Sequence, residues 1–167
     1  MILEISTQTT YRVLCIIICA FVAMGAAQSA KVVYNSLKEK RLAPGAFWST
    51  GGMPSSHSAT MISLVTSLGI LEAYYEHGIG YDFAIALAFS SVVIYDAMGV
   101  RYEAGKHAKM LNKIMENEPK ELKDSVGYNK ELKVLLGHKP KEVFWGIIVG
   151  FLVGALGALI YILCINK

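Results

Sequence analysis

The chain has 167 residues, 54% of them hydrophobic and 17% charged, with a formal charge of +3 and a mean hydropathy of +0.44. Soluble domains carry about 25% charged residues, so this balance excludes a disordered chain, a coiled coil and a soluble nucleic-acid binder. The length suits one domain over 1–167, and Cys15, Cys19 and Cys164 lie in apolar runs without zinc or disulfide spacing, which reads as small buried apolar residues.

Four stretches approach the roughly 20 apolar residues that cross a bilayer: Val13–Ala30, Ala59–Tyr75, Phe83–Val100 and Val143–Ile165. The first resembles a signal peptide only loosely. Arg12 is offset by Glu4 ahead of it and the apolar run is long for such a leader, so a retained helix is expected. The third contains Asp96, which is costly at membrane depth unless it is paired or wet. The fourth is free of charge and is the clearest span.

With four spans the two ends and the 76–82 turn share one side, together with Arg12 and Lys167. Lys31, Lys38, Lys40, Arg41 and the ten basic residues from Arg101 to Lys141 fall on the other. The positive-inside rule then puts the termini outside and both large loops in the cytoplasm. Within the 101–142 loop, Met110, Leu111, Ile114 and Met115 repeat at helical spacing, as do Leu132, Leu135 and Leu136, with Pro119 and Gly127 between. This predicts two short amphipathic helices, either lying on an anionic leaflet or forming a solvated hairpin.

Three motifs carry chemistry. In Ser49–Ser58 (STGGMPSSHS), Gly51 and Gly52 allow backbone to approach a ligand, and Pro54 starts a helix that Ser55 and Ser56 can cap. Free amides at that helix start favour an anion, and His57 can hold or deliver a proton near neutral pH. In the second motif, Tyr95–Arg101 with Glu103–His107, Asp96 precedes an arginine at the end of the third span. This suggests a buried pair or polar pocket in which Arg101 grips phosphate. His107 is a weaker candidate, equally readable as a surface histidine. In Gly137–Glu142 (GHKPKE), His138 and Glu142 stand four apart on one helical face, where a carboxylate orients an imidazole. Every one of these motifs ends on the face that the charge count assigns to the cytoplasm.

These residues resemble the divergent type-2 phosphatidic acid phosphatase (PAP2) family, also described as related to acid phosphatases and vanadium haloperoxidases. The likeness rests on GGMPSSHSA (51–59), YDAMGVR (95–101) with AGKHA (104–108), and LGHKPKEV (136–143), and runs from about Gln28 to Gly154. It implies that His57 protonates the leaving oxygen, that His138 is the nucleophile which becomes a phosphohistidine, and that Glu142 orients it. The phosphate would be held by Lys31, Gly52, Ser55, Ser56 and Arg101, with Asp96 and Arg41 supporting. Ser56 stands where the superfamily has Gly, and 36 residues separate Arg101 from His138 where the superfamily has only a few. The superfamily's Lys/Arg-Pro motif is absent, Lys31 and Arg41 being the nearest substitutes.

The expectation is therefore an all-α polytopic membrane helix bundle with four transmembrane helices and a cytoplasmic amphipathic helical hairpin. It would be a metal-independent lipid-phosphate phosphatase using no cofactor, with a phosphomonoester or pyrophosphate of a lipid as substrate and no nucleic acid as partner. Phosphatidic acid, phosphatidylglycerol phosphate and polyprenyl phosphates all fit. A bacterial plasma membrane is the default location, an organelle membrane the alternative. The rival readings are a non-catalytic binder of anionic lipid head groups and a small transporter or scaffold in which Asp96 and Arg101 are structural. Gly146, Gly150 and Gly154 form a stripe along the last span that suits either a homodimer seam or an internal contact.

Overall fold

The computed structural model describes residues 2–49, 51–128, 130–134 and 136–165. These form α1 (Ile2–Glu39), a short 3₁₀ turn (Pro44–Trp48), α2 (Ser56–Tyr75), α3 (Tyr81–Met98), α4 (Val100–Glu116), α5 (Lys120–Ser125) and α6 (Pro140–Ile165), with no strand among the described residues. The protein is all-helical. Three segments are long and apolar enough to cross a membrane: Thr7–Glu39, Tyr81–Glu116 and Pro140–Ile165. Large apolar side chains such as Phe21, Phe89 and Phe151 stand exposed along them, an outer surface suited to lipid and not to water.

The fourth expected span, α2, is not among those segments. Its position explains its composition. α2 packs against α6, α1 and α3, and Ser56, Ser58, Ser63, Ser67 and Glu72 are all buried along it. A helix hidden by its neighbours needs small side chains for close packing more than it needs hydrocarbon. Ser63 Oγ donates to the Cys19 carbonyl of α1 at 3.0 Å, and Ser67 Oγ to the Ser63 carbonyl at 2.8 Å.

The glycine stripe is an internal seam. A Cβ added to Gly146 would stand 2.4 Å from the Ser55 carbonyl oxygen, one on Gly150 2.4 Å from that of Ala59, and one on Gly154 2.6 Å from that of Ser63. The α2 and α6 backbones thus touch along the whole stripe, and all three glycines are buried within one chain. Of the cysteines, Cys19 is buried, Cys15 half-buried and Cys164 exposed on the outer side of α6, so the reading of all three as buried holds for Cys19 only. At the end of the bundle away from His57 and His138, Glu72 accepts the Gly80 amide at 2.8 Å, and Arg12 pairs with Glu76 at 3.2 Å while lying over the Tyr75 ring.

Among the described residues the second amphipathic helix expected around Leu132–Leu136 is not formed: 130–134 is irregular, and Leu135, like Thr50 and Lys167, lies outside the described residues. Asn112 of α4 accounts for the difference. Its Oδ1 accepts the Leu132 amide and its Nδ2 donates to the Leu132 carbonyl, both at 2.9 Å. A backbone held on both sides by an amide side chain is not free to form helical hydrogen bonds. The first amphipathic helix, α4, is present.

Candidate active site

The site is assembled at the end of the bundle where α2 and α6 begin and α3 ends. Ser55 caps α2: its Oγ accepts the Ser58 amide at 3.3 Å and the Ser58 hydroxyl at 3.1 Å, while its own amide donates to the Glu142 carbonyl at 2.9 Å. The Ser55 hydroxyl, expected to bind phosphate, is thus fully buried and committed to the cap. Ser56 is buried beside it and its carbonyl accepts from Thr60. His57 stands in the first turn of α2, next to the amides at the helix N-terminus.

His138 is 0% exposed. Its Nδ1 donates to the acceptor-only carboxylate oxygen Oε2 of Glu142 at 3.0 Å, an arrangement that in a neutral ring puts the lone pair on Nε2. That Nε2 is buried without a hydrogen-bond partner among the described residues, and so is His57 Nδ1. The two imidazole rings lie 5.7 Å apart, centroid to centroid, with 65° between their planes. Glu142 is fixed in turn: the same carboxylate oxygen accepts the Lys139 amide at 3.2 Å, and the Gly52 amide also faces it. Two histidines with open ring nitrogens, one of them oriented by a carboxylate, can divide a nucleophile's work from an acid's.

Positive charge converges on this pair. Lys31 is fully buried, its Nζ donating to the Ser49 carbonyl at 3.0 Å. Gly52 packs over the Lys31 stem, where a Cβ would find ordinary contact, and its φ of +94° is what favours glycine there. Burial lowers the His57 pKa below its usual 6.5, and the charges of His138, Arg101 and Lys31 act in the same direction against a smaller opposing effect from Asp96. Arg101 pairs with Asp96 as expected, but both are partly exposed, so the pair sits at the rim and not in a buried core. Arg41 is not gathered in. It bonds Glu39 at 2.9 Å, is largely exposed, and lines an outer cavity of about 840 Å³ with Lys38, Lys139, Lys141 and Glu142. A second cavity of about 320 Å³ shares Gly51, Gly52, Lys139 and Glu142 with it and continues to Lys106 and Lys109. Neither histidine lines these cavities, and His107 points away on the exposed face of α4.

The gap of 36 residues between Arg101 and His138 closes in space. The His138 amide donates to the Ala97 carbonyl at 2.8 Å, and a Cβ on Gly137, which has φ +71°, would fall 2.3 Å from the Tyr102 amide nitrogen. Gly105 admits the Val134 and Leu136 carbonyls in the same way. These positioning residues, with Asn112, escaped sequence reasoning. Glycines at 105 and 137 were visible signals, but nothing local says what approaches them. Among the described residues no group of three or more His, Cys, Asp or Glu side chains is arranged to hold a metal.

The model of the divergent PAP2 family matches residues 14–153. The chain belongs to that family. A relative in Bacillus subtilis (strain 168), described as the uncharacterized membrane protein YuiD, is 38% identical over 135 residues, covering 75% of this chain and 82% of the relative. No solved structure matches. The divergent PAP2 family motifs named from the sequence, around His57, Arg101 and His138, are those that the fold draws to one end of the bundle.

Proposed function

We propose that this divergent PAP2 protein is a membrane phosphatase that hydrolyses a phosphomonoester or pyrophosphate of a lipid through a phosphohistidine. One observation carries the reading: His138 has its Nδ1 bound to Glu142 and its Nε2 open beside His57. In the reaction, His138 Nε2 attacks phosphorus, the bond from phosphorus to the lipid oxygen breaks, and His57 protonates that oxygen. A water, deprotonated by His57, then attacks the phosphohistidine, releasing phosphate and restoring both histidines. Lys31, Arg101 and the α2 amides stabilise charge growing on the phosphoryl oxygens. Glu142 holds the tautomer and the positive charge that His138 acquires.

α2 crosses the bilayer as a fourth helix shielded by α1, α3 and α6. The lopsided distribution of lysine and arginine supports a site at the cytoplasmic leaflet with both termini outside, in a bacterial plasma membrane. A lipid substrate suits this depth, since its head group reaches His57 while its tails stay in hydrocarbon.

A second reading is a binder of anionic head groups without turnover. It is favoured by the outer cavity, which offers Lys38, Arg41, Lys139 and Lys141 but neither histidine. Phosphate release from a panel of lipid phosphates in detergent with EDTA separates the two. Release by wild type that disappears in His138→Ala and His57→Ala supports the phosphatase. Absence of release from folded wild type on every substrate, with retained binding of the same lipids, overturns it.

A further inference from the structure

The face of α4 opposite the active site is unpartnered. Gly105, Ala108 and Asn112 point inward, where Val134 and Leu136 lie against Gly105 and Leu132 is bonded by Asn112. On the other side of the same helix Val100, Met110, Leu111 and Ile114 form one apolar strip with Ala104 and His107, at the spacing that aligns residues three and four apart. Met110 is 64% exposed and Ile114 57% exposed. Lys106 and Lys113 border the strip beside Met110, and Lys106 also bonds Glu103 at 2.7 Å. Lys120 and Lys123 follow on α5.

We infer that α4 lies along an anionic lipid surface, its Met110–Leu111–Ile114 strip entering the acyl boundary and Lys106 and Lys113 meeting the head groups. Two observations select this occupant. α4 follows α3 directly through Gly99, and α3 carries the exposed Phe89 and Val92 within the candidate membrane span Tyr81–Glu116. The border is basic, so a second copy docked by the same face would bring lysines against lysines, whereas anionic head groups complement them. Because the inward face of α4 holds the segment that ends in Gly137 and His138, a docked α4 fixes that histidine at head-group depth. The inference rests on the helix's two faces and does not require turnover.

The test uses the full chain with Cys15→Ala, Cys19→Ala and Cys164→Ser, carrying a polarity-sensitive fluorophore on Ile114→Cys or, as the control, Lys109→Cys. Each is reconstituted into vesicles of phosphatidylcholine alone or of phosphatidylcholine with phosphatidylglycerol. The label at 114 is expected to shift to the blue and to be quenched by spin-labelled acyl chains, more so with phosphatidylglycerol and less so in high salt, while the label at 109 stays water-like. Aqueous iodide quenching the two positions equally in both vesicles overturns the inference. So does a blue shift at 114 that ignores lipid charge and vanishes at one copy per vesicle, which would instead identify a second copy. Should the cysteine-free chain misfold, oxidation of Met110 in wild type gives the same answer: slower in the anionic vesicles if the strip is docked, equal in both if it is not.

Discussion

The backbone amide of His138 donates to the carbonyl of Ala97, 2.8 Å away, and so ties the segment before α6 to the last turn of α3. Ala97 is itself buried and stands next to Asp96, the partner of Arg101. One hydrogen bond thereby registers the imidazole against the arginine that the chain supplies much earlier.

Gly137 is the hinge of that registration. Gly137→Ala would force a side chain onto a positive φ and against the Tyr102 backbone. We expect a loss of about 2–3 kcal/mol in stability, read as a lower thermal midpoint in detergent. In the proposed reaction phosphate release should fall with it although both histidines are retained.

Glu142→Gln keeps a hydrogen-bond acceptor beside His138 Nδ1 but removes the charge that favours imidazolium. If the proposed chemistry is right, phosphate release falls by about 10²–10⁴-fold while the thermal midpoint changes little. Glu142→Asp should recover part of the rate. An unchanged rate in Glu142→Gln would remove Glu142 from the mechanism.

His57 gives the protein a pH dependence of definite sign. Its folded pKa lies below 6.5, so the unfolded chain takes up the proton first as the pH falls. In that window the unfolded state binds more protons, and stability therefore rises with pH. The contribution is complete above about 6.5 and is lost on acidification toward the folded value. Thermal midpoints of wild type and His57→Gln, compared from about pH 5 to 8, should diverge in this direction. In the proposed reaction His57 serves as the acid and must be protonated, so kcat/KM should decline as the pH rises through a value below 6.5. A bound phosphate dianion favours the proton and should move the decline in kcat to higher pH.

Gly150→Ala tests the seam between α2 and α6. The added methyl group meets the Ala59 carbonyl, and overpacking of this kind costs about 1–3 kcal/mol. The thermal midpoint should drop while the oligomeric state in detergent stays as in wild type. A change of oligomeric state without loss of stability would mark the stripe as an interface between copies.

Residues close in sequence were legible without a structure. Hydropathy is a sum over neighbours, so the runs around Val13, Phe83 and Val143 announced membrane helices directly. Ser55 ahead of a helix announced a cap, and the four-residue step from His138 to Glu142 announced a shared helical face, because each depends on a single turn of backbone. The amphipathic strip of α4 was readable for the same reason. The leucines near 132 repeated at helical spacing too, yet Asn112, some twenty residues earlier, takes the Leu132 backbone instead. Whether Gly146, Gly150 and Gly154 turned inward or outward was equally open, since a stripe of small residues permits close approach from any partner. Tertiary structure decided those points, together with the meeting of His57, Arg101 and His138, because each depends on contacts between segments far apart in the chain. Local periodicity carries no information about which distant backbone will arrive.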